Sequence, residues 1–147
     1  MANAINWESS PSLTSYLTTE LNSLADGANK IGAAIDNSSG LDRWMDVELY
    51  INTQGSARDS GAYVAVYLIP APDGTNYVYG GDSTDPPANT WVANLALDAA
   101  TTARYIAAQM IPVPPGLFKL LFINETGQAL ASSGNTAGYR LYSEEVQ

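Results

Sequence analysis

The stretch AYVAVYLIPAPDGTNYVY, residues 62–79, decides the fold. It opens with eight apolar or aromatic residues, so both faces of an extended chain would be apolar here. A strand of this kind is typical of a structure that covers it on both sides. Pro70 ends the run because it lacks a backbone donor, and the following PDG, residues 72–74, predicts a turn. We therefore predict a central β-strand over residues 62–69.

Further short strands, separated by turns rich in Gly, Pro and Asn, are predicted along the rest of the chain. RWMDVELYI (43–51) shows the clearest alternation, and LFKLLFIN (117–124) is a second run that is apolar on both faces. Other predicted strands cover residues 30–37, 91–97, 103–111, 128–132 and 136–142. About eight strands at this spacing predict an all-β fold, an antiparallel β-sandwich with a jelly-roll-like arrangement.

The sequence predicts an extended N-terminal arm, residues 1–11, followed by a single β-sandwich domain, residues 12–147. Apolar residues at helical spacing over 12–25 predict a short helix, with a strand as the alternative because Thr and Ser weaken the helix. The sequence predicts a long exposed loop over residues 77–89 and an acidic tail over residues 143–147. In the arm, Trp7 is either a plug in the core or, with Ile5, a contact to a neighbouring subunit.

Composition excludes several classes of function. Fifteen acidic and six basic residues give a net charge of −9, which disfavours a nucleic-acid or anionic-membrane partner. The chain has no Cys and no His, which removes disulfides, ordinary zinc sites and histidine-dependent catalysis. It shows no leader and no apolar stretch of membrane-spanning length, so we expect a soluble protein made in the cytoplasm. We expect no cofactor.

Acidic residues give two candidate sites, each with a simpler explanation. Asp46 and Glu48 share one face of the predicted strand 43–51, and paired carboxylates can perform glycosidic acid–base chemistry. Both members of such a pair normally come from separate elements, so an ordinary exposed face is favoured. Asp73, Asp82 and Asp85 follow the central strand and could bind Ca²⁺, but they lack EF-hand spacing and favour turn formation.

Aromatic residues give a third candidate. Exposed aromatics on a sandwich face can bind sugars, and the same residue types also suit sheet packing and subunit interfaces. The residues considered are Tyr63, Tyr67, Tyr77, Tyr79, Trp44, Trp91 and Tyr105.

Several short segments are informative when they are taken together in their order along the chain. They are LNSLADG (21–27), AIDNS (34–38), MDVEL (45–49), VYLIP (66–70), DGTNY (73–77), PVPPG (112–116) and ASSGNT (131–136). This series, from about residue 21 to residue 142, resembles a family of small virion proteins of tailed bacteriophages. The family has no catalytic motif to carry over, so the resemblance implies no catalytic residues and a protein that is not an enzyme.

The resemblance implies a head decoration (cement, auxiliary) protein. Such a protein would bind the major capsid protein on the outer surface of the virion, as a homotrimer, and stabilise the shell. Its partner-binding candidates in this chain are Ile5, Trp7, Trp44 and Tyr79. The alternative function is a carbohydrate-binding sandwich that aids host attachment.

Overall fold

The computed structural model describes residues 5–7, 9 and 11–146, of which 5–7 and 146 are described by their backbone alone. Within those ranges the chain forms eleven strands, one 3₁₀ turn (Ala88–Thr90) and no α-helix. The strands are β1 Ile5–Trp7, β2 Thr14–Leu17, β3 Asn29–Ile31, β4 Ile35–Asp36, β5 Trp44–Ile51, β6 Tyr63–Pro70, β7 Trp91–Ala96, β8 Arg104–Pro112, β9 Leu117–Glu125, β10 Thr136–Tyr142 and β11 Glu144–Val146.

Two antiparallel sheets form a β-sandwich, which confirms the predicted fold class. The four-stranded sheet has the order β2-β10-β5-β8, and the five-stranded sheet has the order β3-β9-β6-β7, with β4 also pairing with β9. Strands β1 and β11 form a separate two-stranded ribbon. The strand count exceeds eight because the predicted strand 30–37 is split and the ribbon adds two. The jelly-roll arrangement stays a prediction.

The chain changes sheet at almost every connection. With β3 and β4 counted as one interrupted edge strand, every step from β2 to β10 crosses to the other sheet except the β6–β7 hairpin. Strands far apart in sequence therefore pair, as β2 does with β10 and β3 with β9.

The main core lies between the two sheets. On β6, Val64, Val66 and Leu68 point into it, as the alternation of the sequence predicts. Fully buried side chains contribute roughly 1.5–3 kcal/mol each relative to exposure, so this layer dominates the stability of the fold. Its largest fully buried members are Phe118, Phe122, Met45, Leu49, Ile51, Leu95, Leu120, Val47, Leu17 and Leu21.

A second, smaller apolar cluster covers the outer face of the five-stranded sheet. Ala65 and Ile69 of β6 are buried there with two residues of β9, and Tyr77 and Val78 pack onto them. The Val78 N–H bonds to the carbonyl of Pro70 at 2.9 Å, which turns the chain back over the sheet. The prediction of a strand covered on both faces is confirmed. The segment 77–89 is a loop with seven exposed residues, as predicted, and its first two residues cover the sheet.

The predicted helix over residues 12–25 is wrong. This segment forms the short strand β2 on β10, then turns that bury Leu17 and Leu21 in the core. Tyr16 crosses to the other sheet, where its hydroxyl accepts the Leu120 N–H at 2.9 Å. Strand pairing and these long-range contacts outweigh a weak helical period.

The structure also differs from the predictions for residues 128–132 and for the two ends of the chain. Residues 128–132 form an irregular segment rather than a strand, and the expected acidic tail contains β11, which pairs with β1. The arm 1–11 thus contributes a strand at Ile5–Trp7, while residues 1–4, 8 and 10 lie outside the described residues. The division into an arm and one domain stays a prediction.

Candidate functional site

The four predicted partner-binding residues come from three parts of the fold. Trp44 begins β5 in the four-stranded sheet and is half-buried. Tyr79 is 64% exposed in the loop that follows β6 of the five-stranded sheet. Ile5 and Trp7 belong to β1, but their side chains lie outside the described residues.

A proline-rich surface surrounds Trp44. One cavity there, of about 460 Å³, is lined by Trp44, Pro112 and the 58%-exposed Leu41, among others. A second cavity of about 420 Å³ shares Pro112 and extends to Pro70 and Val78. The Nε1 atom of Trp44 is buried and has no hydrogen-bond partner in the described part of the chain. We call the loops around these two cavities, residues 37–43, 70–79 and 112–116, the proline end.

The seven aromatic residues lie on both sheets and make no single platform. Trp44 and Tyr105 belong to the four-stranded sheet, where Tyr105 stacks on Tyr50 with ring centroids 4.5 Å apart. The other five belong to β6, β7 or the loop between them. Among these, Trp91 is 50% exposed, and its Nε1–H donates to Asn94 at 2.9 Å, which fixes the indole ring.

Asp46 is part of a buried hydrogen-bond network rather than an exposed acid pair with Glu48. Its carboxylate accepts hydrogen bonds from the Arg140 guanidinium (2.7 Å) and the Tyr142 hydroxyl (2.8 Å). It also accepts the Met110 N–H at 3.0 Å. Burial raises the pKa of Asp46, but the bonds from Arg140, Met110 and Tyr142 outweigh burial, so its pKa lies below the ordinary value.

Asp46 stands opposite a β-bulge in β8. Met45 pairs with Ile111 and Val47 pairs with Ala108, so both Gln109 and Met110 face Asp46. Met110 has a φ of 56°, unusual for a residue with a side chain, and its side chain is 51% exposed. The bulge therefore turns this methionine outward while Asp46 holds its backbone.

The acids that follow the central strand hold loops in place. Asp73 accepts the N–H groups of Thr75 and Asn76 inside its own turn, as predicted. Asp82 and Asp85 instead bind β3, through Lys30 and Asn29 respectively. Among the described residues, no group of three or more His, Cys, Asp or Glu could hold a metal ion.

One edge of the sandwich carries almost no charge. Strands β7 and β8 lie side by side there and are the outermost strands of their sheets. Between Pro86 and Phe118 the only charged residues are Asp98 and Arg104, which form an ion pair. The whole net charge of −9 therefore lies on the rest of the chain.

This uncharged edge exposes several large side chains. Tyr105 is 72% exposed, Trp91 and Met110 are half-exposed, and Ala107 and Gln109 are exposed between them. Aromatic residues and Met are enriched at protein interfaces, where charged residues are depleted. The edge together with the proline end is the candidate interaction surface of the molecule. The sequence shows a long interval with few charged residues, but it does not show that this interval forms one edge of the sandwich.

No family model matches the chain, and none of the curated proteins or solved structures compared with it matches either. In the described ranges, no helix is long and apolar enough to cross a membrane.

Proposed function

We propose that the chain is a structural virion protein of a tailed bacteriophage, a head decoration protein that binds the outer capsid surface. The observation that carries this proposal is an exposed surface with few charges, formed by the proline end and the adjoining β7–β8 edge, in an otherwise strongly acidic chain. A protein whose task is broad protein–protein contact needs such a surface and needs no catalytic group.

The strand order supports the same proposal. With β3 and β4 taken as one strand, the eight strands from β2 to β10 have the orders 1-8-3-6 and 2-7-4-5 in the two sheets. We propose that this sandwich is a jelly roll, an architecture found in viral capsid and lectin domains. Fold alone does not specify a function, so this support is secondary to the surface.

Shell stabilisation follows from mass action. If the protein binds the expanded shell and not its precursor or its dissociated subunits, bound protein favours the expanded state by RT ln(1 + [L]/Kd). The partner is the major capsid protein, and a homotrimer would match the local threefold positions of a shell. We place the capsid contact at the proline end, where Leu41 and Trp44 line a cavity that Asp42 and Arg43 also border.

Co-sedimentation with purified shells tests this function. Expanded shells of the phage that encodes the chain should bind it stoichiometrically, and precursor shells should not. Leu41→Asn removes an exposed apolar side chain while tolerating the φ of 51°, and should weaken binding about tenfold. Ser23→Asn, at φ 57° on another exposed turn, is the matched control and should bind normally. Failure of the unmodified chain to bind either shell overturns the proposal.

A carbohydrate-binding role is the second candidate. It is favoured by Trp91, whose ring is half-exposed and fixed by Asn94, because a preoriented aromatic ring can stack on a sugar. A glycan array with the unmodified chain and with Trp91→Ala tests it. Saturable binding that is lost in Trp91→Ala but kept in Trp44→Ala supports this role, and an array without any bound glycan rejects it.

A further inference from the structure

The two edges of the sandwich are built differently. On one edge, the outermost strands are β2, β3 and β4, which have four, three and two residues. On the other edge they are β7 and β8, with six and nine residues. Proteins usually keep exposed edge strands short or protect them with charge, because a free strand edge pairs with other chains.

Charged residues lie on β3 and β4 of the short edge, although not on β2, and are nearly absent from the long edge. Lys30 lies on β3, paired with Asp82 at 2.5 Å. β7 contains no charged residue, and β8 contains only Arg104 at its first position. Inward-facing Ile106 and Ala108 of β8 are half-buried against the core, so a neighbouring strand would cover them further.

The net charge of the chain restricts where two copies can meet. Two copies of a chain with a net charge of −9 repel each other over most of their surface. Like charges brought together in an interface cost several kcal/mol. The edge formed by β7 and β8 is where two copies can meet without that cost, since Asp98 and Arg104 neutralise each other.

We propose that the β7–β8 edge is the interface between copies of this chain, with backbone pairing along β8 and contacts from Tyr105, Met110 and Trp91. The bulge held by Asp46 turns Met110 out of the sheet into this interface, where a flexible thioether adapts to its neighbour. This proposal names the surface behind the oligomer of the proposed function. Its test uses the purified chain alone, so its failure and a failure of shell binding are separate results.

Light scattering over a concentration series is the experiment. The unmodified chain should show a mass that is a multiple of 15.6 kDa, and added salt should favour association by screening the repulsion. Tyr105→Glu combined with Met110→Glu introduces two negative charges at the edge of an already acidic chain and should give a monomer. Thr14→Glu combined with Ser15→Glu, on the opposite edge strand of the same sheet, adds the same charge, is the control and should keep the oligomer.

Amide hydrogen exchange of the unmodified chain provides a second readout that does not depend on any variant folding. Protection in β7 and β8 should rise with protein concentration, while protection in β2 should not. A monomer at all concentrations, an oligomer that survives both edge glutamates, or exchange in β8 that is independent of concentration would each overturn the proposal.

Discussion

Asp46 connects three strands from one position. It lies on β5, binds Arg140 and Tyr142 of β10, and holds the backbone of Met110 in β8. The sequence placed Asp46 correctly on a strand face with Glu48. It could not reveal Arg140 as the partner, because that pairing depends on the register between strands about ninety residues apart.

Replacing Asp46 by Asn should destabilise the protein. The variant keeps an acceptor oxygen but leaves Arg140 opposite a neutral group, so we expect a loss of about 3 kcal/mol in urea unfolding at neutral pH. Glu48→Gln, two positions along the same face, is the control and should change the free energy of unfolding by less than about 0.5 kcal/mol.

The same variant should show a defined pH dependence. The pKa of Asp46 lies below 3.8 in the folded chain, so between that pKa and 3.8 the unfolded state binds more protons. The contribution of Asp46 is therefore fully present above about pH 4 and is lost as the pH falls through the folded pKa. The stability difference between the two proteins should shrink on acidification, and an unchanged difference at about pH 2 would contradict this account.

At the scale of elements, the strands with strong alternation or long apolar runs were predictable. β5, β6 and β9 lie within two residues of their predicted bounds. β5 alternates apolar and polar residues, and β6 and β9 are continuous apolar runs, so each shows a clear strand pattern in the sequence. β2 was predicted only as the alternative to a helix, because its four residues are too few to show a period and its position depends on pairing with β10. The fold-back of the loop after β6 was missed because it depends on Asp82 and Asp85 reaching β3.

Asp82→Asn should loosen that loop without unfolding the sandwich. The carboxylate accepts hydrogen bonds from the Lys30 ammonium and the Ile31 N–H. The variant loses the charge of this half-exposed ion pair, which contributes about 1 kcal/mol. Limited proteolysis followed by mass spectrometry should show cleavage within residues 77–87 about fivefold faster. Asp73→Asn, which changes a carboxylate that bonds only within its own turn, should leave cleavage at 77–87 as it is, and equal rates in all three proteins would refute the prediction.

At the scale of the whole molecule, the class of the fold followed from strand number and spacing, whereas the strand order did not. Partners such as β2 and β10, or β3 and β9, come from opposite ends of the chain, and no local pattern encodes their pairing. The uncharged edge is likewise a property of the assembled molecule, because it needs β7 and β8 to lie side by side.

Refolding should reflect this non-local pairing. Distant segments must lose conformational entropy to meet before their contacts can form. Sandwiches of this kind therefore fold slowly, in milliseconds to seconds. Stopped-flow tryptophan fluorescence after dilution from urea should show a main phase in that range. Complete recovery of the fluorescence within microseconds would contradict the expectation.

The bulge in β8 also creates a chemical contrast between two methionines. Met45 is fully buried, whereas the sulfur of Met110 is carried outward on a half-exposed side chain. Mild peroxide should therefore convert Met110 to its sulfoxide and leave Met45 intact, which would place a polar group at the edge of the sandwich without any change of sequence. Oxidation would therefore alter the exposed edge at β8 while the packed interior is spared.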